Sequence, residues 1–238
     1  MSRKIKADFK ELINFISTYS LKENIKNEYL KRNLKAIHGK YYSFLVFVSE
    51  VELRFKQNIE SEVIDRIKEI YSDIGSSMLL FAHGMYKQAY MSLRSSIENF
   101  IKAIGYKEFP CILNEKNVST IFDKVKKSST IMDNKIQNEF NSIKVIYSDL
   151  CAYVHTKCLE FMTHSSSFNK FPCYSIPKGS KFVTVFNDLI KNYLYILVIN
   201  FRNLFFKFDP INRELIMVSV KRAHRRKIHQ YDEDQKEN

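Results

Sequence analysis

Between Leu79 and Gly105, apolar residues recur at steps of three and four: Leu79, Ala82, Tyr86, Ala89, Leu93, Ile97, Phe100, Ile101 and Ile104. That spacing lines one face of an α-helix and does not suit a strand, whose faces alternate at every second residue. The same step runs through most of the chain. Only five Gly and four Pro interrupt 238 residues, too few breakers for a strand-and-turn architecture. The expected fold class is therefore all-α, a bundle of about seven to eight helices.

Taken in order, residues 3–18 form a short amphipathic helix through Ile5, Phe9, Leu12, Ile13 and Ile16. Leu21 to Gln57 holds no Pro and a single Gly, Gly39, and reads as one long helix or two broken near that glycine. A third helix spans about 59–83 and stops at His83-Gly84, a residue pair suited to a helix C-terminus. The helix carrying the opening pattern follows and ends at Gly105. Residues 108–117 are a loop, Ser119 is the expected cap of a short helix reaching Lys127, and 128–130 are a break. A long helix then runs from Met132 to about Glu160, and residues 163–180, with two Pro and several Ser, are an expected long loop. Val183 to Phe206 is an apolar helix, and Asp209-Pro210 opens a final helix that ends near Val220. By pattern the chain divides into N-terminal helices over 1–58, a helical domain over 59–220, and a basic-then-acidic tail over 221–238 that is expected to be flexible.

The apolar run 189–206 is interrupted by Lys191, Asn192, Asn200, Arg202 and Asn203. A charge near the middle of a membrane span costs ~2.5–3.5 kcal/mol, so this run is expected to be a buried helix, with no membrane partner. The N-terminus MSRKIKADFKELI is charged and amphipathic, unlike a signal peptide. Four Cys (111, 151, 158 and 173) then read as reduced thiols of a cytoplasmic protein. The net charge of +12 favours a polyanionic partner, RNA or another nucleic acid. Lys221, Arg222, Arg225, Arg226 and Lys227 in the tail are the candidate contacts.

Two helix faces carry the candidate chemistry. Arg94 and Glu98 stand four residues apart, and Tyr147, Cys151, His155 and Cys158 follow steps of four, four and three. Both sets project from single faces, and the two faces are expected to meet. A helix pair of this kind contributes only ~0.2–0.5 kcal/mol, and Arg before Glu is the weaker order. His155 suits general acid–base work because an imidazole exchanges protons near neutral pH. Arg94 suits stabilisation of a developing phosphate charge, Glu98 suits orientation of Arg94 or His155, and Tyr147 suits donation to a substrate oxygen. The competing reading is a buried polar network. Cys151, His155 and Cys158, with Cys173 or His164, were they a zinc set, would depart from the usual loop-borne Cys pairs; no metal or cofactor is expected. No His-Glu-x-x-His motif, glycine-rich phosphate loop or internal repeat is present.

Gly84, Ala89, Leu93, Arg94, Ser95 and Glu98, followed by Tyr147, Leu150, Tyr153, Val154 and His155, resemble HEPN-like proteins over roughly residues 60–160. These are all-α domains of abortive-infection, toxin–antitoxin and other antiviral systems. The resemblance implies a HEPN-like core within 59–220, a homodimer, a possible antitoxin or other protein partner, and a metal-independent endoribonuclease. The implied roles are proton transfer at His155 and phosphate stabilisation by an Arg. One departure is plain. Ribonuclease members carry an Arg four to six intervening residues before that His, where this chain has Ser148, Asp149 and Leu150. Arg222 has six residues before His229, a spacing match that reads as coincidence within the basic tail. Two functions stay open: an endoribonuclease using His155, Arg94, Glu98 and Tyr147, or a non-catalytic module binding nucleic acid or a nucleotide within a defence complex.

Overall fold

A computed structural model describes residues 3–133, 136–155 and 171–228, with side chains from residue 7 onward. Among the described residues there is no strand. The helices are α1 (Arg3–Thr18), α2 (Lys22–Ile25), α3 (Glu28–Arg54), α4 (Ser61–Ala82), α5 (Tyr86–Gly105), α6 (Val118–Val125), α7 (Ser129–Met132), α8 (Gln137–Val154), α9 (Ile176–Asn200), α10 (Arg202–Phe205) and α11 (Pro210–Ser219). The all-α expectation holds.

α9 is the axis of the bundle. Phe182, Phe186, Leu189, Ile190 and the run from Asn192 to Ile199 are all buried, so this helix is apolar nearly all round, as a core helix must be. It is also long and apolar enough to cross a membrane by length and composition. Its side chains are instead spent on α3, α5, α8 and α11, which pack around it. Tyr193 shows how tightly. Its ring stacks on Phe100 of α5 at 4.1 Å and lies 6.3 Å from Phe44 of α3, and its hydroxyl is 3.1 Å from the Ser96 hydroxyl.

α3 runs unbroken through Gly39, where a side chain would meet open space, so no packing constraint forces a break there. Its Leu30, Ile37, Phe44 and Phe47 enter the same core as the residues of α9. α4 and α5 are antiparallel neighbours joined across His83, Gly84 and Met85. Gly84 has φ of +77°, and an added Cβ would collide with the Cys173 carbonyl. Both features demand glycine.

Several expected boundaries moved. Asn117, rather than Ser119, caps α6 by accepting from the Ser119 and Thr120 amides, because an Asn oxygen reaches the first free N–H groups from the residue just outside the helix. Pro110–Asn114 forms a 3-10 turn within the expected loop, and the 128–130 break instead opens the single turn α7. α9 begins at Ile176 with Pro177 in its first turn, so the last residues of the expected 163–180 loop are helical. The apolar helix ends at Asn200, and α10 follows as a separate turn. Asp209 caps α11 as expected. The expected continuation of α8 over 156–160, and the loop as far as residue 170, lie outside the described residues.

The largest change concerns the basic tail. Residues 222–228 are helical and docked on the core. Ile228 is 2% exposed and His224 7%. The His224 ring stacks on Tyr195 at 3.9 Å and its Nε2–H donates to Glu139 at 2.8 Å. Arg225 donates to the Val220 and Val218 carbonyls, both at 2.9 Å, covering acceptors that α11 leaves open at its C-terminal end. This segment is therefore no flexible tail; residues 229–238 lie outside the described set.

Two outcomes are expected. Gly84→Ala should lower unfolding free energy by about 1–3 kcal/mol in urea titration, from left-handed strain and the Cys173 contact. Burial holds the His224 pKa below its ordinary 6.5, with Lys221 and Lys227 acting in the same direction and Glu139 against it. The unfolded chain thus takes up this proton first, and the stability contributed by neutral His224, present above pH 6.5, is lost as pH falls below it. His224→Gln should flatten the acid side of a Tm-against-pH profile; an unchanged slope would remove His224 from the account.

Candidate functional site

The two polar-bearing faces do meet. α5 presents Arg94 and Glu98, α8 presents Tyr147 and Cys151, and the four side chains form one cluster. Arg94 Nη2 lies 2.9 Å from Glu98 Oε1 and 2.9 Å from the Tyr147 oxygen. Its Nε donates to the Cys151 sulfur at 3.3 Å, and its guanidinium lies 5.3 Å from the Tyr147 ring centroid. The Tyr147 hydroxyl completes the circuit by donating to Glu98 Oε1 at 3.0 Å.

The pair is only half-buried, with Arg94 29% and Glu98 31% exposed. Burial alone would weaken the Arg94 charge, but the Cys151 sulfur, the Glu98 carboxylate and Tyr147 together outweigh it and hold the guanidinium charged. Tyr147 is pushed the other way. Burial, then the Glu98 charge, raises its pKa far above the ordinary phenol value, with Arg94 opposing and Cys151 adding. Tyr147 is therefore a firmly protonated donor and not a base.

His155 stands apart from this circuit. It is the C-cap of α8, exposed, with its amide bonded to the Cys151 carbonyl at 2.9 Å. Its position is one turn beyond Cys151, and no described residue hydrogen-bonds its ring. Ser148 and Asp149, where the ribonuclease pattern would place an Arg, are exposed to solvent. Cys158, His164 and His229 lie outside the described residues, and among those described no His, Cys, Asp and Glu group suits a metal ion. Cys111, Cys151 and Cys173 are free thiols. Of the basic candidates, Lys221, Arg222, Arg226 and Lys227 are exposed, while Arg225 is half-buried against α11.

Glu98 also borders a cleft of about 540 Å³ between α4 and α5, lined by Glu62, Asp65, Arg66, Glu69, Ser95, Asn99 and Lys102 as well. Arg66 donates to Asn99 at 2.7 Å, and Asn99 donates to Asp73 at 3.3 Å. Burial raises the Asp73 pKa, with Ser95 and Asn99 opposing and the Glu69 and Glu98 charges adding. Carboxylates outnumber cations here, which makes the cleft a poor receptor for phosphate. Sequence reading missed it. The available signal was the polar sequence Ser95, Glu98, Asn99 and Lys102, spaced by three, one and three along the flank of α5.

The network predicts a specific coupling. Glu98→Ala should cost about 1–2 kcal/mol, less than for a fully buried pair, because Arg94 loses its carboxylate in a half-buried site. Arg94→Met with Glu98→Met should cost less than the two single Met changes summed, by about 0.5 kcal/mol or more in a double-mutant cycle. Strict additivity would mean the two side chains do not act together. The chain matches no family model, no curated protein and no solved structure.

Proposed function

We propose that this chain is a HEPN-like helical module that binds RNA, in which the α5–α8 cluster joins helices and does not cleave. The observation that carries this reading is the engagement of Arg94. Its Nε and Nη2 donors are already directed at Cys151, Glu98 and Tyr147. A transition-state stabiliser needs donors aimed at the position where charge develops. A guanidinium paired at 2.9 Å with a carboxylate offers a phosphate little net charge. No Arg on α8 replaces it, since the relevant positions are Ser148, Asp149 and Leu150. The net charge of +12 and the exposed Lys221, Arg222, Arg226 and Lys227 support a polyanionic partner. The defence setting, a homodimer and an antitoxin-type partner follow from the HEPN resemblance alone.

The second reading, a metal-independent endoribonuclease, is favoured by His155. An exposed imidazole at the open end of the Tyr147–Cys151 face is accessible to a ribose hydroxyl. RNA incubated with the purified protein and EDTA separates the two. The binding module should shift RNA in a salt-dependent manner and leave it intact, and Arg222→Glu with Arg226→Glu should weaken the shift. EDTA-resistant cleavage that His155→Ala abolishes would replace the first reading with the second.

A further inference from the structure

One outward face of α3 interleaves cations with aromatic rings. Lys31, Lys35, His38 and Tyr42 follow steps of four, three and four, so they share that face. All four are exposed, Tyr42 at 45%. The Tyr42 and His38 ring centroids lie 6.3 Å apart with their planes 24° from parallel, so the two rings form one aromatic ledge. Arg32 flanks the row with its guanidinium 5.3 Å from the Tyr29 ring centroid, and Tyr29 is itself 49% exposed. The neighbours of Tyr42 fix how α3 is turned. Tyr41 stacks on Tyr71 of α4 at 5.0 Å, and Ser43 donates to the Leu215 carbonyl of α11 at 2.8 Å.

Two features of this face work against the helix that bears them. Lys31 and Arg32 stand near the N-terminal end of α3, where the helix dipole disfavours cations. Glu28 is the one carboxylate between residues 28 and 42. It lies 3.9 Å from Lys31 with both side chains largely exposed, and it leaves Arg32 and Lys35 unbalanced. Gly39 is the second feature. Glycine weakens a helix interior, yet here there is no positive φ, and an added Cβ would meet nothing within 4 Å. Gly39 follows Lys35 by four residues and precedes Tyr42 by three, so it opens a gap in the row through which a ligand can reach the helix backbone.

We propose that this face of α3 binds single-stranded RNA, with Lys31, Arg32 and Lys35 on phosphates, a base stacked on the Tyr42 ring, and the strand crossing α3 at Gly39. Every base has a face that stacks on an aromatic ring, and cations beside the ring track the backbone. The proposal rests on the RNA-binding reading and gives it a contact surface on a regular helix, remote in sequence from the 222–228 segment.

The test is fluorescence anisotropy with a fluorescein-labelled oligouridylate over a KCl series, with melting of each free protein as the control for folding. Lys31→Gln with Lys35→Gln should lower the slope of log affinity against log salt by about 1.4, which is ~0.7 for each of two lost phosphate contacts. Tyr42→Ala should weaken binding about fivefold or more with the slope unchanged, while Tyr42→Phe, which keeps the ring, should bind like wild type. Gly39→Gln should raise Tm, because glutamine is the better helix former, and yet weaken binding by filling the gap. Affinities and slopes equal to wild type in the Lys31/Lys35 and Tyr42→Ala proteins would overturn the α3 surface while leaving RNA binding intact. A lowered slope with Tyr42→Ala and Gly39→Gln binding like wild type would overturn the stacked base and the crossing at Gly39. Absence of oligouridylate binding by wild type would overturn the RNA reading and the α3 surface with it.

Discussion

Everything in this fold leans on the burial of α9. A helix with apolar side chains on nearly every face must be surrounded, and α3, α5, α8 and α11 supply the walls. Tyr193 and Asn192 carry the consequence, since they put polar atoms at the centre. The Tyr193 hydroxyl meets Ser96 of α5, and the Asn192 amide meets Ser142 of α8. Buried polar groups need partners, so these two residues fix the rotation of α9 against both walls. The α5–α8 contact that forms the Arg94 cluster is therefore set from behind, by the helix both of them cover.

That dependence explains why the cluster is so closed. α5 and α8 approach with Arg94, Glu98, Tyr147 and Cys151 on facing surfaces, and Arg94 Nε, Arg94 Nη2 and the Tyr147 hydroxyl each find an acceptor within the set. The energetic value of such a half-buried circuit lies mainly in avoiding unpaired polar groups. His155 falls outside it for a local reason: α8 ends at Val154, and the C-cap residue leaves the helical geometry that aligned Tyr147 with Cys151.

Much of this was legible in the residue pattern. Steps of three and four gave the helices; Gly84 and Asp209-Pro210 marked a stop and a start that the structure keeps. The grouping of Arg94 with Glu98, and of Tyr147 with Cys151, could be read from helical spacing; that the two faces meet could not, because polar helix faces ordinarily point to solvent. The docked 222–228 segment could not. His224 and Ile228 are spaced by one helical turn, but they sit in a run dominated by charge, and their partners Tyr195 and Glu139 are distant in sequence. The same holds for Asn117, whose capping role depends on where α6 begins as well as on its residue type, since Ser119 is an equally good cap in isolation.

The way this fold treats its cations follows from the same architecture. Where α5 meets α8, a carboxylate and a phenol stand opposite the guanidinium, so folding itself satisfies Arg94. Where α3 and the 222–228 segment meet α11 and α9, packing and hydrogen bonds to neutral groups do most of the docking. Ser43 binds α11, Ile228 is buried, His224 stacks on Tyr195, and Arg225 covers open carbonyls. A charge satisfied within the fold has little left for a ligand, whereas one left in excess by the fold is available to any polyanion of suitable spacing. On this ground the exposed Lys221, Arg222, Arg226 and Lys227, and not Arg94, are the cations that the fold leaves in excess.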